Sequence, residues 1–269
     1  MVEVLPEYDA PPLDEVVMGI QFAPLSRFRQ AHLGVYWSRI RDRYPLLEDH
    51  APIFQQVEPQ DIVPSQPSFT LDFSTTNPFT RSWYLTDDRR TIIQLQRDKF
   101  VRNWRRIDGE GTYPRYQPLV DAFRKDWLDY LDFNRVEDTG DVSVNQCEFS
   151  YINRIERGSG WERFADLSHV FAFMKPTKSA GFLPEPELVT WTVQFRMPDG
   201  KSRLYAKMSP AFRPHDFKMV LSLELIVRGE PSGKDESSVF AWFDTAHDWI
   251  VRAFDEITGP DMHRLWGKR

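Results

Sequence analysis

The stretch "ELVTWTVQFRMPDGKSRLYAKM" constrains the fold more than any other part of the chain. Val189, Trp191, Val193, Phe195 and Met197 alternate with Thr190, Thr192, Gln194 and Arg196, and Asp199-Gly200 follows as a turn signal. A period of two puts the apolar set on one face of a sheet and the polar set on the other. Asp-Gly suits the tight turn of a hairpin, whose central residues need positive φ. An antiparallel sheet with one apolar face is therefore required, together with something to cover it. "YQPLVDAFRKDWLDYLDF" supplies one cover, with Leu119, Phe123, Trp127, Tyr130 and Leu131 on a single helical face. "SSVFAWFDTAHDWIVRAFDEITG" supplies another, closed by Gly259.

The same elements occur earlier and later in the chain. "EVVMGIQFAP" reads as a strand ended by Pro24, and "LSRFRQAHLGVYWSRIRDRYP" as a helix with Ser26 as N-cap and Pro45 as stop. Residues 46–67, rich in proline, read as an extended connection. "SFTLDFS", "RSWYLTDD" and "RTIIQLQRDKFVRNW" read as three strands, with a turn at Asp87-Asp88. Then "VNQCEFSYINRIER" alternates as a strand, "WERFADLSHVFAFM" is a helix candidate, the hairpin follows, and "FKMVLSLELIVRG" is a further strand. The fold expected is α+β: two related strand–helix–antiparallel-sheet–helix halves, residues 16–135 and 142–260, from an internal duplication. They are flanked by a flexible N-terminal tail, 1–15, and a C-terminal tail, 261–269. Joined sheets of this kind would form a TATA-binding-protein-like or helix-grip-like saddle, an analogy of fold that carries no function.

Composition narrows the function classes. The 269 residues are 41% hydrophobic and 28% charged with a net charge of -6, so no global field draws the protein to phosphate backbones or anionic lipid. Nucleic acid would have to be met by a local patch. The single cysteine, Cys147, excludes an internal disulfide and a multi-cysteine metal site, which fits a reducing, cytoplasmic compartment. The N-terminal "MVEVLPEYDAPPLDEVV" has no basic region or long apolar run and is not read as a secretory signal; no run reaches membrane-spanning length.

"PPLDEVVMGIQFAP", a helix ending "RYP", "IIQLQRDKFVRNWRR", "FSYINRI" and the late "AHDWIVRAFDEIT" and "HRLWG" together resemble a sporadically distributed, uncharacterised bacterial protein family whose members run to about this length. The resemblance spans nearly the whole chain, on short and mostly apolar motifs. It implies a bacterial accessory protein, of the defence or toxin–antitoxin kind, and carries no activity and no catalytic residues with it.

No signature of chemistry emerges. The six histidines show no metal-ligand spacing, and no metal or cofactor is expected. "RGSGW" lacks a following Walker lysine, no GxSxG occurs, and Cys147 lies in an alternating strand where a thiol packs as a small hydrophobe. What remains is surface. Gln94, Gln96, Thr192, Gln194 and Arg196 fall on the polar side of their strands. "LQRDKFVRNWRRIDGEG" is the densest basic run, and its Arg102, Trp104, Arg105 and Arg106 could meet an acidic partner or phosphate. The same run also suits a charged edge strand, with arginine stems covering the core. The sequence thus points to a non-catalytic recognition protein. It would bind a protein partner, or a nucleic acid through the basic strand, on a polar sheet face. A helix-grip small-molecule module and an unrecognised enzyme acting on nucleic acid are the alternatives. The sequence sets no oligomeric state.

Overall fold

Strand-forming alternation recurs along the chain. In the computed structural model it yields one antiparallel sheet of nine strands among the described residues, which are 4–58, 80–175, 182–213 and 216–269. The strands are β1 (Leu13–Phe22), β2 (Leu46–His50), β3 (Arg81–Leu85), β4 (Thr91–Gln96), β5 (Lys99–Arg105), β6 (Val144–Glu156), β7 (Trp191–Arg196), β8 (Arg203–Phe212) and β9 (Met219–Gly229). Their spatial order is β2-β3-β4-β5-β1-β6-β9-β8-β7. β1 and β6 form the centre, with Val16 opposite Tyr151 and Ile20 opposite Cys147. β1 pairs outward with β5, and β6 with β9, so the earlier strands fan to one edge and the later strands to the other.

The apolar face is covered by helices α1 (Ala31–Ile40), α2 (Tyr116–Val136) and α4 (Glu236–Ile257). Phe123 of α2 meets Phe243 of α4 edge-on, with ring centroids 5.2 Å apart, and each also packs on the sheet, on Phe100 and Phe149 respectively. Fully burying such a ring contributes roughly 1.5–3 kcal/mol, which sets the long helices over the central strands. Asp235 caps α4, accepting from the Ser238 backbone N–H at 3.0 Å. The architecture is α+β, one large antiparallel sheet with helices, and no helix among the described residues is long and apolar enough to cross a membrane.

Several elements depart from the sequence expectation. "RTIIQLQRDKFVRNW" is not one strand but the hairpin β4–β5, turning at Arg97-Asp98 with Gln96 opposite Lys99. The first helix begins at Ala31 rather than after Ser26, and ends at Ile40. Within the connection 46–67, Leu46–His50 pairs with β3 as an edge strand. Its later part, like "SFTLDFS", lies outside the described residues. "WERFADLSHVFAFM" gives only a 3-10 turn, Phe164–Asp166, and the four-residue α3 (Leu167–Val170). Its backbone is diverted to the end of α4: Gly259 donates to Val170 O at 2.8 Å and Ala172 to Ile257 O at 2.9 Å. The N-terminal residues up to 15 are anchored where described: Tyr8 is buried, Asp9 N donates to Gly267 O at 3.1 Å, and β1 starts at Leu13. Residues 260–265 form a short helix, α5 (Pro260–Leu265).

Candidate functional site on the polar sheet face

The sheet face opposite the helices carries the polar members of the alternation. Side chains alternate along each strand, so a residue's cross-strand partner lies on its own face, and lateral rows run perpendicular to the strands. One row is Gln96–Lys99–Gln21–Gln146, across β4, β5, β1 and β6. A neighbouring row is Glu148–Arg228–Arg203–Arg196, across β6, β9, β8 and β7. Long polar side chains buried in such rows need partners.

Those partners come from residues 51–58, an extended segment that leaves β2 and crosses this face. Ile53 N donates to Gln96 Oε1 at 2.9 Å, while Gln96 Nε2 donates to Ile53 O at 2.8 Å. Gln21 treats Gln56 in the same way, accepting from its N–H at 3.1 Å and donating to its carbonyl at 3.4 Å. Lys99 Nζ donates to Phe54 O at 2.6 Å, and Glu58 N to Gln146 Oε1 at 3.1 Å. The spacing explains the register. Three extended residues span about 10 Å, and β4 and β1 are two strand spacings, about 9.6 Å, apart. Side-chain amides thus bind this strap as a neighbouring strand would bind a peptide.

The strap ends in an ion cage. The Glu58 carboxylate accepts from Tyr205 Oη at 2.6 Å and lies 3.3 Å from both Arg203 Nη1 and Arg228 Nη1. Its side chain is 5% exposed and that of Arg203 1%, whereas Ile53, Phe54 and Val57 of the strap face solvent. Arg228 also pairs with Glu148 at 2.6 Å. Burial, with the adjacent Glu58, pushes the Tyr205 phenol up to about 12, so it stays a donor at neutral pH. Gln146 Nε2 is buried and meets no acceptor among the described residues. Beside the strap a groove of about 390 Å³ continues along the face, floored by Val17 and Gly19 and walled by Gln94, Asn103 and Glu148. A relay from Arg81 through Gln94 and Asn103 ends on Glu15, with contacts of 2.8, 2.8 and 2.6 Å. Burial raises the Glu15 carboxyl, an effect the Asn103 hydrogen bond partly offsets.

The sequence-derived candidates divide between the two faces. Gln94 and Gln96 lie on the polar face and are buried in the relay and under the strap. Thr192, Gln194 and Arg196 lie on the same face, exposed on the edge strand β7, with Gln194 opposite Tyr205 and Arg196 opposite Arg203. Arg105 is also on the polar face, its Nε donating to Arg89 O at 3.1 Å. Arg102 and Trp104 are on the helix side. Arg102 Nε donates to Asp126 Oδ2 at 3.0 Å, and Trp104 is 7% exposed against Tyr113. Arg106 follows β5 at the end of the sheet, beside Asp14 and Arg154. Sequence reasoning missed Gln21, Gln146, Lys99, Arg203, Arg228 and the strap. The available signal was the single arginine in "LELIVRGE" and the one opening "RLYAKM", charges set among apolar strand residues.

No family model matches the chain, and no curated protein matches it. Among the described residues no group of three or more histidine, cysteine or acidic side chains is placed to hold a metal ion.

Proposed function

We propose that the protein is a non-catalytic recognition component that receives an extended, carboxylate-bearing polypeptide on its polar sheet face. Residues 51–58 are the resident occupant, which a partner segment replaces. One observation carries this reading: backbone groups of Ile53, Phe54, Gln56 and Glu58 are held by side chains of the sheet, ending in the Arg203–Arg228–Tyr205 cage. Main-chain hydrogen bonds give such a site affinity and the cage gives it selectivity. The amide part of the hold is also shallow. Each amide bond contributes about 0.5–1.5 kcal/mol net, while ordering each strap residue costs about 1–2 kcal/mol. A partner with better contacts can therefore displace the strap.

The element order supports a finer reading of the fold, in which the halves 16–135 and 142–260 arose by duplication. Each begins with a strand that pairs with the other half's first strand and with its own half's last strand. Each ends in a long helix on the apolar face.

The test uses a strap-weakened chain, Gln56→Pro with Glu58→Gln, which removes one clamped N–H and the caged charge. Titrated with a synthetic peptide of residues 51–58, it should bind more tightly than the unaltered chain does, and adding Arg228→Gln should abolish binding. Binding that survives Arg228→Gln would show that the polar face is not where the peptide sits.

A further inference from the structure

The helix side of the sheet holds a second cavity that shares no residue with the polar-face seat. Where α2 and α4 part at one end of the sheet, a cleft of about 480 Å³ opens over Leu13 of β1 and Tyr151 and Asn153 of β6. That volume lies within the range of small-molecule sites, roughly 300–1,000 Å³. Its inner wall is a chain of hydrogen-bonding rings. Tyr113 Oη lies 2.7 Å from Tyr151 Oη, which lies 3.1 Å from His247 Nδ1. Tyr116 stacks on His247 with ring centroids 3.9 Å apart and planes 4° apart, and gives its hydroxyl to Asp244 at 2.7 Å.

Burial lowers the His247 pKa to about 4, so the imidazole is neutral at pH 7. With Nδ1 engaged by Tyr151, Nε2 is the nitrogen left to face a ligand. Arg115, Arg269 and Glu7 line the mouth. The Arg269 guanidinium is paired with Asp9, which leaves Arg115 as the cation turned to the cleft. Arg115 adopts φ 74° and ψ 168°, a conformation open to glycine and costly for other residues. It thereby aims Nη1 at Tyr8 O, 3.0 Å away, and places its guanidinium 5.9 Å from the Tyr113 ring centroid. Aromatic walls, a neutral hydrogen-bonding ring chain and the Arg115 guanidinium at the rim converge on one kind of molecule.

We propose that this cleft binds a small planar aromatic anion. The ring of the ligand lies against the tyrosines, its carboxylate or phosphate meets Arg115, and the Tyr113–Tyr151–His247 chain supplies its remaining hydrogen bonds. Such a ligand would sit between the sheet and a long helix, apart from the peptide seat.

Calorimetric titration of the full chain with 2-naphthoate, 2-naphthyl phosphate and uncharged 2-naphthamide tests this, and the two anions separate the carboxylate from the phosphate source. The expected result is single-site binding of at least one anion, more than about tenfold tighter than the amide, the scale of one charge-assisted contact. The His247 ring resonances should shift on saturation. Arg115→Gly removes the guanidinium at a backbone geometry glycine adopts readily, so the fold survives, and affinity for the anion should fall by about tenfold or more. Arg27→Gln, at an exposed pair outside both sites, should leave anion binding unchanged. The proposal is overturned if neither anion binds, if the amide binds equally well, or if Arg115→Gly binds as the unaltered chain does.

Discussion

Replacing Asp126 with asparagine should destabilise the protein far more than any surface charge change. Asp126 sits on α2 with its side chain 3% exposed, and three groups converge on it: Arg102 from β5, and Arg43 and the Tyr44 hydroxyl, the latter 2.7 Å away, from the turn after α1. Arg102 is itself only 11% exposed. Asp126→Asn keeps the shape but removes the charge, leaving Arg102 on the buried face with no counter-ion there. Removing one partner of a buried ion pair costs about 3–5 kcal/mol. For 269 residues, at about 2.1 cal/mol/K of unfolding entropy per residue, that is a fall of roughly 5–9 °C in Tm. The control is Arg27→Gln, which breaks the pair with Asp138, whose side chains are 55% and 81% exposed. That change should cost under about 1 kcal/mol. The double variant Asp126→Asn with Arg102→Met should recover part of the loss, because the orphaned charge is removed with its partner. Thermal melts followed by circular dichroism decide the matter. A Tm for Asp126→Asn within 2 °C of the unaltered chain, or no smaller loss in the double variant, would refute the buried-pair reasoning.

Acid should destabilise the protein through His247. Its folded pKa, about 4, lies below the ordinary 6.5, so below pH 6.5 the unfolded chain takes up a proton that the folded chain resists. Stability then falls between about pH 6.5 and pH 4, by about 3 kcal/mol from this group, and levels off below. Denaturant titrations across that window should show the fall, and His247→Gln should flatten it. Gly229→Ala should also destabilise, by about 1–3 kcal/mol for an overpacked core. A Cβ there would lie 2.6 Å from Ser202 Cβ and 2.7 Å from its Cα, contacts no side-chain rotation relieves. An unchanged denaturation midpoint for this variant would contradict the close approach of Gly229 to Ser202, just before β8.

The parts of the fold legible in the sequence were those set by local periodicity. The alternation from Val189 to Met197 and the Asp199-Gly200 turn specified a hairpin, and the structure has β7 and β8 with Gly200 at φ 70°. The β4–β5 turn was less legible because Arg97-Asp98 carries a single turn-forming residue and no glycine. The facing of the basic run was hidden for a related reason. Arg102 and Trp104 face the helices because Asp126 and Tyr113, distant in sequence, receive them. Pairings of that kind leave no periodic trace. The polar side of the sheet was readable as a surface, through Gln94, Gln96, Thr192, Gln194 and Arg196. Its occupant was not, because residues 51–58 have no pattern of their own and gain their conformation from Gln96, Gln21 and Gln146.

In the proposed reading, side-chain amides of the sheet hold the strap as they would hold a partner's peptide. Residue-resolved hydrogen exchange across 51–58 tests it most directly. Protection is expected at the amides of Ile53, Gln56 and Glu58, lost at Gln56 in Gln21→Ala and at Ile53 in Gln96→Ala, and reduced at all three by excess 51–58 peptide. Uniformly fast exchange along the segment in the unaltered chain would contradict it.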